Sequence, residues 1–176
     1  MTLDTSAADF LQMLVDAGRP RLHESVPVDA RAAYDAMAPF GGEGAEVESV
    51  AELTIDGVLC HVVRPRDVAK PPVLVWFHGG GWVIGSSAAS VAVCQDLAAA
   101  TGCAVISVDY RLAPEHPAPA AVMDCAAVTK WVLEHGREIG LDHTRVAVGG
   151  DSAGGNLAAL VALELGDALC HQALVY

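Results

Sequence analysis

A serine flanked by glycines is the strongest chemical signal in the sequence. Gly150-Asp151-Ser152-Ala153-Gly154 follows an apolar run and opens an Ala-rich segment with apolar residues at helical spacing. A sharp strand-to-helix turn would expose the hydroxyl, and the flanking glycines avoid the Cβ clashes of such a turn. The helix dipole and the Ala153 amide would face a developing oxyanion. The motif therefore predicts Ser152 as an acyl-transfer nucleophile, against the alternative of a serine that merely caps a helix.

A second glycine cluster, His78-Gly79-Gly80-Gly81-Trp82, follows another apolar run. Successive glycines let backbone amides approach a ligand closely, and acyl transfer needs donors aimed at the tetrahedral oxygen. The amides of Gly79 and Gly80 are candidates for this role, beside that of Ala153. A phosphate-binding loop is the alternative, but it requires a lysine followed by Ser or Thr, which is missing here. We interpret His78 as a structural side chain that holds the loop rather than as a general base.

Three segments in this order, HGGGW, DYRLAPEHPAPAA (109–121) and GDSAGGN (150–156), resemble the motifs of the hormone-sensitive-lipase family of carboxylesterases. The resemblance implies an α/β-hydrolase fold and hydrolysis of small or short-acyl carboxylic esters through an acyl-enzyme on Ser152. It also implies an oxyanion hole formed by Gly79, Gly80 and Ala153, and neither a metal nor an organic cofactor. The remaining motif residues are expected to support this site: His78, Gly81, Gly150, Asp151 and Gly154.

The middle segment contains an arginine among acidic residues. An arginine with acids nearby most often fixes a loop, so we interpret these side chains as scaffold: Asp109, Tyr110, Arg111 and Glu115.

The elements expected to position these motifs alternate between strands and helices. Four uninterrupted apolar runs are typical of parallel strands buried on both faces: 73–77, 104–108, 145–149 and 172–176. Ala-rich segments of helical length lie between them: about 86–101, 118–135 and 153–166. This order predicts an α/β fold with a mostly parallel sheet, flanking helices and right-handed crossovers.

The first part of the chain has a different sequence pattern. Apolar residues at helical spacing predict two short helices, the second of them capped by Asp29. Two strand-like runs, 47–55 and 58–64, are joined by Asp56-Gly57 and predict a hairpin. We therefore divide the chain into cap-like N-terminal helices at 1–45 and a partial α/β-hydrolase core at 46–176.

The acid and histidine that the family places after its serine are not identifiable. The candidates downstream of Ser152 are three: Glu164, Asp167 and His171. Glu164 lies 12 residues along the expected helix, or ~18 Å from Ser152. His171 precedes a strand that starts at the opposite end of the sheet. His116 is expected nearer the serine, but nothing local marks it as a base.

We therefore expect a truncated hydrolase that lacks C-terminal strands and is inactive by itself. The alternatives are a non-catalytic ligand-binding protein and a degenerate fragment on the same scaffold. Cleavage of amides rather than esters would use the same catalytic groups. An uncovered C-terminal strand would favour self-association.

The overall composition argues against several classes of partner and location. The net charge of -12 would repel phosphate backbones and anionic membrane surfaces, which argues against nucleic acid as a partner. The 5 cysteines lack CxxC spacing and indicate reduced, structural thiols without a metal. The N-terminus has no basic leader, and the longest uncharged stretch, residues 71–95, is interrupted by the HGGG segment and by prolines. We therefore expect a cytoplasmic protein without a membrane span.

Overall fold

A computed structural model describes residues 3–18 and 22–176. Two helices and a hairpin come first, and strands alternate with helices from the third strand onward, in this order: α1 (Thr5–Asp16), α2 (Pro27–Asp35), β1 (Ser49–Ile55), β2 (Val58–Arg64), β3 (Pro72–Phe77), α3 (Val91–Thr101), β4 (Ala104–Val108), α4 (Ala120–His135), β5 (Asp142–Asp151), α5 (Ala153–Leu165) and β6 (His171–Val175). Short 3₁₀ turns connect several of them. The alternation from β3 onward confirms the predicted α/β class.

The described residues form one six-stranded sheet with the order β1-β2-β4-β3-β5-β6. β1 and β2 are antiparallel, while β4, β3, β5 and β6 run parallel to one another. All four predicted apolar runs are therefore strands of the parallel part. Because parallel strands share their carboxyl edge, the segments after β3 and β5 meet at one side of the sheet.

The predicted hairpin is confirmed, with Ile55 paired to Val58 across the turn. Asp56 and Gly57 have φ angles of 49° and 82°. Positive φ at both central residues gives the turn whose twist matches the flanking strands, which is why an Asp-Gly pair favours it.

The sheet separates two apolar clusters. One face of the sheet packs against α4 and α5, around residues such as Phe77, Ile106 and Val148, all fully buried. The other face packs against α3 around Leu74, Trp76 and other buried residues. β4 is buried along its whole length, as an uninterrupted apolar run predicts.

The two N-terminal helices form, but the predicted cap of the second is wrong. α2 begins at Pro27 after Val26, because proline at the first helical position needs no hydrogen-bond partner, and Asp29 lies within the first turn instead. α1 buries none of its residues. The division of the chain at residue 45 stays a prediction.

None of the helices in the described part of the chain is both long and apolar enough to cross a bilayer.

Candidate active site

Ser152 occupies the turn between β5 and α5. Its φ of 54° and ψ of −118° lie in a region that residues with a Cβ rarely adopt, and its side chain is exposed. Strain of this kind persists only where the surroundings enforce it. The turn therefore presents the hydroxyl to solvent at the carboxyl edge of the sheet.

Two glycines bring this turn against the end of β3. A Cβ at Gly154 would overlap the carbonyl oxygen of Phe77 and lie 2.7 Å from that of His78. A Cβ at Gly150 would also overlap the Phe77 carbonyl oxygen. Only glycine permits this approach, so the start of α5 lies directly beside the loop that follows β3.

His78 begins that loop and is almost completely buried. Its ring stacks on Tyr110 with centroids 4.3 Å apart, and the Tyr110 hydroxyl donates to the His78 carbonyl at 2.7 Å. Nδ1 lies 2.8 Å from the Gly79 carbonyl oxygen, which can only accept, so Nδ1 carries the proton. Burial lowers the pKa of His78 and keeps the ring neutral. These contacts support its interpretation as a structural side chain.

The glycines after His78 use their amides in two ways. The Gly79 amide donates to Asp151 Oδ1 at 3.1 Å. Gly80 and Gly81 have φ angles of 129° and 58°, and within the described residues neither amide has a hydrogen-bond acceptor. The predicted donor at Gly79 is thus engaged inside the protein, whereas the amide of Gly80 remains available to a ligand.

The middle motif is held by hydrogen bonds, as its scaffold interpretation expects. The Ser87 amide donates to Asp109 Oδ1 at 2.8 Å. Arg111 forms a salt bridge of 2.7 Å with the buried carboxylate of Asp124 on α4. Together these contacts fix the segment that supplies Tyr110 to the loop.

Glu115 and Arg31 link that motif to α2. Arg31 Nη2 lies 2.6 Å from Glu115 Oε2, and the guanidinium also donates to the carbonyl oxygens of Val83 and Ala113 at 2.7 and 2.8 Å. Neither Arg31 nor the pairing was predicted, because the partners are 84 positions apart and no local pattern connects them.

A cavity of about 400 Å³ opens beside the turn, between the glycine loop and α3. Its walls are mostly apolar: Tyr34, Trp76, His78, Gly79, Gly85, Ser86, Ala89, Ser90, Val93, Leu97, Asp151, Val175 and Tyr176. Burial, with a smaller contribution from Asp151, raises the pKa of Tyr34. Tyr34 lies on α2, so the N-terminal helices contribute one wall, which the sequence did not reveal.

None of the candidate acids and histidines meets Ser152. β6 brings Val175 opposite Asp151, whereas His171 pairs with Ala147 at the far end of the strand. Glu164 forms a salt bridge of 2.5 Å with Lys130. His116 is exposed in the loop before α4. Among the described residues, no base is therefore hydrogen-bonded to the Ser152 hydroxyl.

Three cysteines are buried in the core: Cys60, Cys94 and Cys125. Burial raises the pKa of both Cys60 and Cys94 to about 12 and raises that of Cys125 as well. Thiols with such pKa values are not nucleophiles at neutral pH. This supports the interpretation of these three as structural.

A family model described as the α/β-hydrolase fold matches residues 74–176, which is more than half of the chain. The chain belongs to this α/β-hydrolase family. The matched region begins within β3 and contains the glycine loop, the middle motif and the nucleophile turn.

Curated relatives confirm the resemblance to hormone-sensitive-lipase-like esterases within this α/β-hydrolase family. Esterase LipI of Mycobacterium tuberculosis is 52% identical over 125 residues, which cover 67% of this chain and 39% of LipI. An ethyl acetate hydrolase of Pseudomonas putida is 33% identical over 180 residues, 94% of this chain and 56% of that enzyme. The chain thus spans about half the length of these relatives.

Solved α/β-hydrolase structures match the fold over nearly the whole chain. An esterase of the hyperthermophilic archaeon Pyrobaculum calidifontis has a TM-score of 0.89 at 36% identity, and the match covers 99% of this chain and 58% of that one. An ester hydrolase from a Lake Arreo metagenome, solved with a bipyridine phosphonate derivative, has a TM-score of 0.90 at 35% identity, over 100% and 60% of the two chains.

Proposed function

We propose that this chain carries the nucleophile and oxyanion part of a serine carboxylic-ester hydrolase. The observation that carries the proposal is the strained, exposed Ser152 in a turn that contacts the glycine loop after β3 through Asp151 and Gly154. The relatives named as esterases and as an ethyl acetate hydrolase favour small or short-acyl esters as the substrate class. An apolar cavity of about 400 Å³ beside the turn suits such a molecule.

In the proposed reaction, Ser152 Oγ attacks the ester carbonyl, the alcohol leaves, and water hydrolyses the acyl-serine. The amides of Gly80 and Ala153 stabilise the tetrahedral oxyanion. Ala153 is the first residue of α5, where backbone amides have no partner within the helix. Gly79 contributes by anchoring the loop, since its own amide already has an acceptor.

We further propose that the 176-residue chain, made alone, hydrolyses esters only at a residual rate. No base among the described residues reaches Ser152, and removing one triad member from a serine hydrolase lowers turnover by several powers of ten. The test is steady-state hydrolysis of p-nitrophenyl acetate by the chain and by Ser152→Ala. Fast turnover that requires Ser152 would show that a base is present and would overturn this part of the proposal.

The second candidate function is a non-catalytic binding protein. It is favoured because none of the described residues provides a base beside Ser152. Reaction of Ser152 with a fluorophosphonate separates the two functions, because a pure binding site gives no reason for that hydroxyl to react faster than the other serines. Labelling of Ser152 above the level of other exposed serines supports the hydrolase.

The partner and location proposals rest on less specific features. β6 is an edge strand whose Leu174 is exposed, as is Tyr176 directly after it, so we propose that the chain self-associates through this edge. Sedimentation of the chain and of Leu174→Lys tests this, with a monomer expected only for the variant.

We also propose a cytoplasmic location, which fractionation of the source cells would test.

A further inference from the structure

Asp151 connects the nucleophile turn to the glycine loop through a contact between segments 72 positions apart. Its Oδ1 accepts from the Gly79 amide at 3.1 Å. A Cβ at Gly79 would overlap Asp151 Oδ2 and lie 3.1 Å from the Asp151 carbonyl oxygen. The carboxylate therefore covers the face of Gly79 on which any other residue would carry a side chain.

The other polar group of Gly79 is held from the opposite side. Its carbonyl oxygen accepts from His78 Nδ1 at 2.8 Å, and a Cβ at Gly85 would lie 2.6 Å from that same oxygen. Both polar groups of Gly79 are thus committed within the protein. The orientation of the next peptide, which includes the Gly80 amide, follows from where Gly79 is held.

We propose that Asp151 is a positioning residue that locks the oxyanion loop to the nucleophile turn. Asp151 directly precedes Ser152, so a bond from its side chain to Gly79 fixes the Gly80 amide and the serine hydroxyl within one unit. Preorganised donors lose little free energy to reorganisation when the oxyanion forms. This role rests on the proposed function, but the bond on which it depends does not.

The geometry does not favour Asp151 as the acid of a catalytic triad. Within the described part of the chain, its carboxylate has one hydrogen-bond partner, the Gly79 amide, and no histidine ring is bonded to it. A triad acid orients the imidazole of the base. Asp151 orients the backbone of the loop instead.

Amide hydrogen exchange at Gly79, measured by NMR, tests the bond directly. Asp151→Ala should raise the Gly79 exchange rate at least about tenfold, because a hydrogen bond to a charged acceptor is lost. Asp151→Asn keeps an oxygen at the same position and should raise it by about threefold or less. The matched control is Asp96→Ala, which removes a bond of the same type, from the Ala45 amide at 2.8 Å, and should leave Gly79 unchanged. Unchanged Gly79 exchange in Asp151→Ala would overturn the proposal.

Coupling between the two positions provides a second measurement if Asp151→Ala is poorly folded. Gly79→Ala displaces the carboxylate, so Asp151→Asn should change the unfolding midpoint less in that background than in the wild type. Additive effects would contradict the lock.

For the positioning role itself, Asp151→Ala should slow fluorophosphonate labelling of Ser152 at least about tenfold, with the rate largely restored in Asp151→Asn. Equal labelling rates in all three proteins would refute that role.

These readouts separate the failure of this inference from the failure of the proposed function. If Ser152 never reacts in the wild type while Gly79 exchange responds to Asp151→Ala, the hydrolase proposal fails and the lock stands as a structural feature. If Ser152 reacts and the Gly79 exchange rate is the same in Asp151→Ala as in the wild type, the hydrolase proposal stands and the lock is wrong.

Discussion

Replacing Ser152 by glycine should make the protein more stable than replacing it by alanine. Both variants remove the hydroxyl, but only glycine relieves the strain of a φ of 54° and ψ of −118°. Such conformations cost ~1–3 kcal/mol for residues with a Cβ, while glycine loses ~0.5–1 kcal/mol more conformational entropy on folding. The expected net gain of Ser152→Gly over Ser152→Ala is about 1 kcal/mol in the free energy of unfolding.

Urea denaturation of the two variants measures this difference. With a denaturant slope of ~2 kcal/mol/M, about 1 kcal/mol moves the midpoint by ~0.5 M, and the melting temperature by ~2–4 °C. The control pair is Ser90→Gly and Ser90→Ala, because Ser90 also precedes a helix without a side-chain cap bond but has an ordinary φ of −91°. An equal difference in stability between the glycine and alanine variants at Ser152 and at Ser90 would show that the Ser152 turn holds no strain, and would refute this prediction.

Three further predictions concern a close packing contact, an ion pair and the exposure of the thiols. Gly154→Ala should destabilise the fold by ~1–3 kcal/mol, because its Cβ meets backbone of β3, whereas Gly41→Ala, with nothing nearby, should be neutral in thermal unfolding. The Arg31 guanidinium lowers the pKa of Glu115 from 4.5 to about 2, so the stabilisation lost in Glu115→Gln should be present above pH 4.5 and vanish as the pH falls to about 2. Iodoacetamide at pH 8 should modify the exposed Cys170 in the native protein and leave Cys60, Cys94 and Cys125 unmodified until urea is added; modification of all four at one rate would contradict their burial.

The sequence predicted the elements whose signals are local. Uninterrupted apolar runs identified the four parallel strands, and Asp56-Gly57 identified the hairpin turn. Boundaries were less accurate: the helix expected from residue 86 begins at Val91, because residues 86–90 form a loop bonded to Asp109 through the Ser87 amide. That bond depends on how the strands are arranged in space, so the spacing of residues in the sequence does not indicate it.

The candidate site was predictable where motif and turn geometry coincide. Ser152 and the glycine loop are brought together as expected, since segments after parallel strands share one edge of the sheet. The partners of Asp151 and Arg31 were not predictable, because each bond joins segments 52 or more positions apart. The wall contributed by Tyr34 was missed for the same reason.

The most direct test of the account is to locate the acyl group after reaction with an activated ester. The 176-residue chain and its Ser152→Ala variant would be incubated with p-nitrophenyl acetate for hours, then analysed by intact mass and peptide mapping. We predict one slowly formed acetyl group, attached to Ser152 and missing from the variant. Acetyl groups on other residues at equal rates in both proteins, with Ser152 unmodified, would contradict the assignment of Ser152 as the nucleophile.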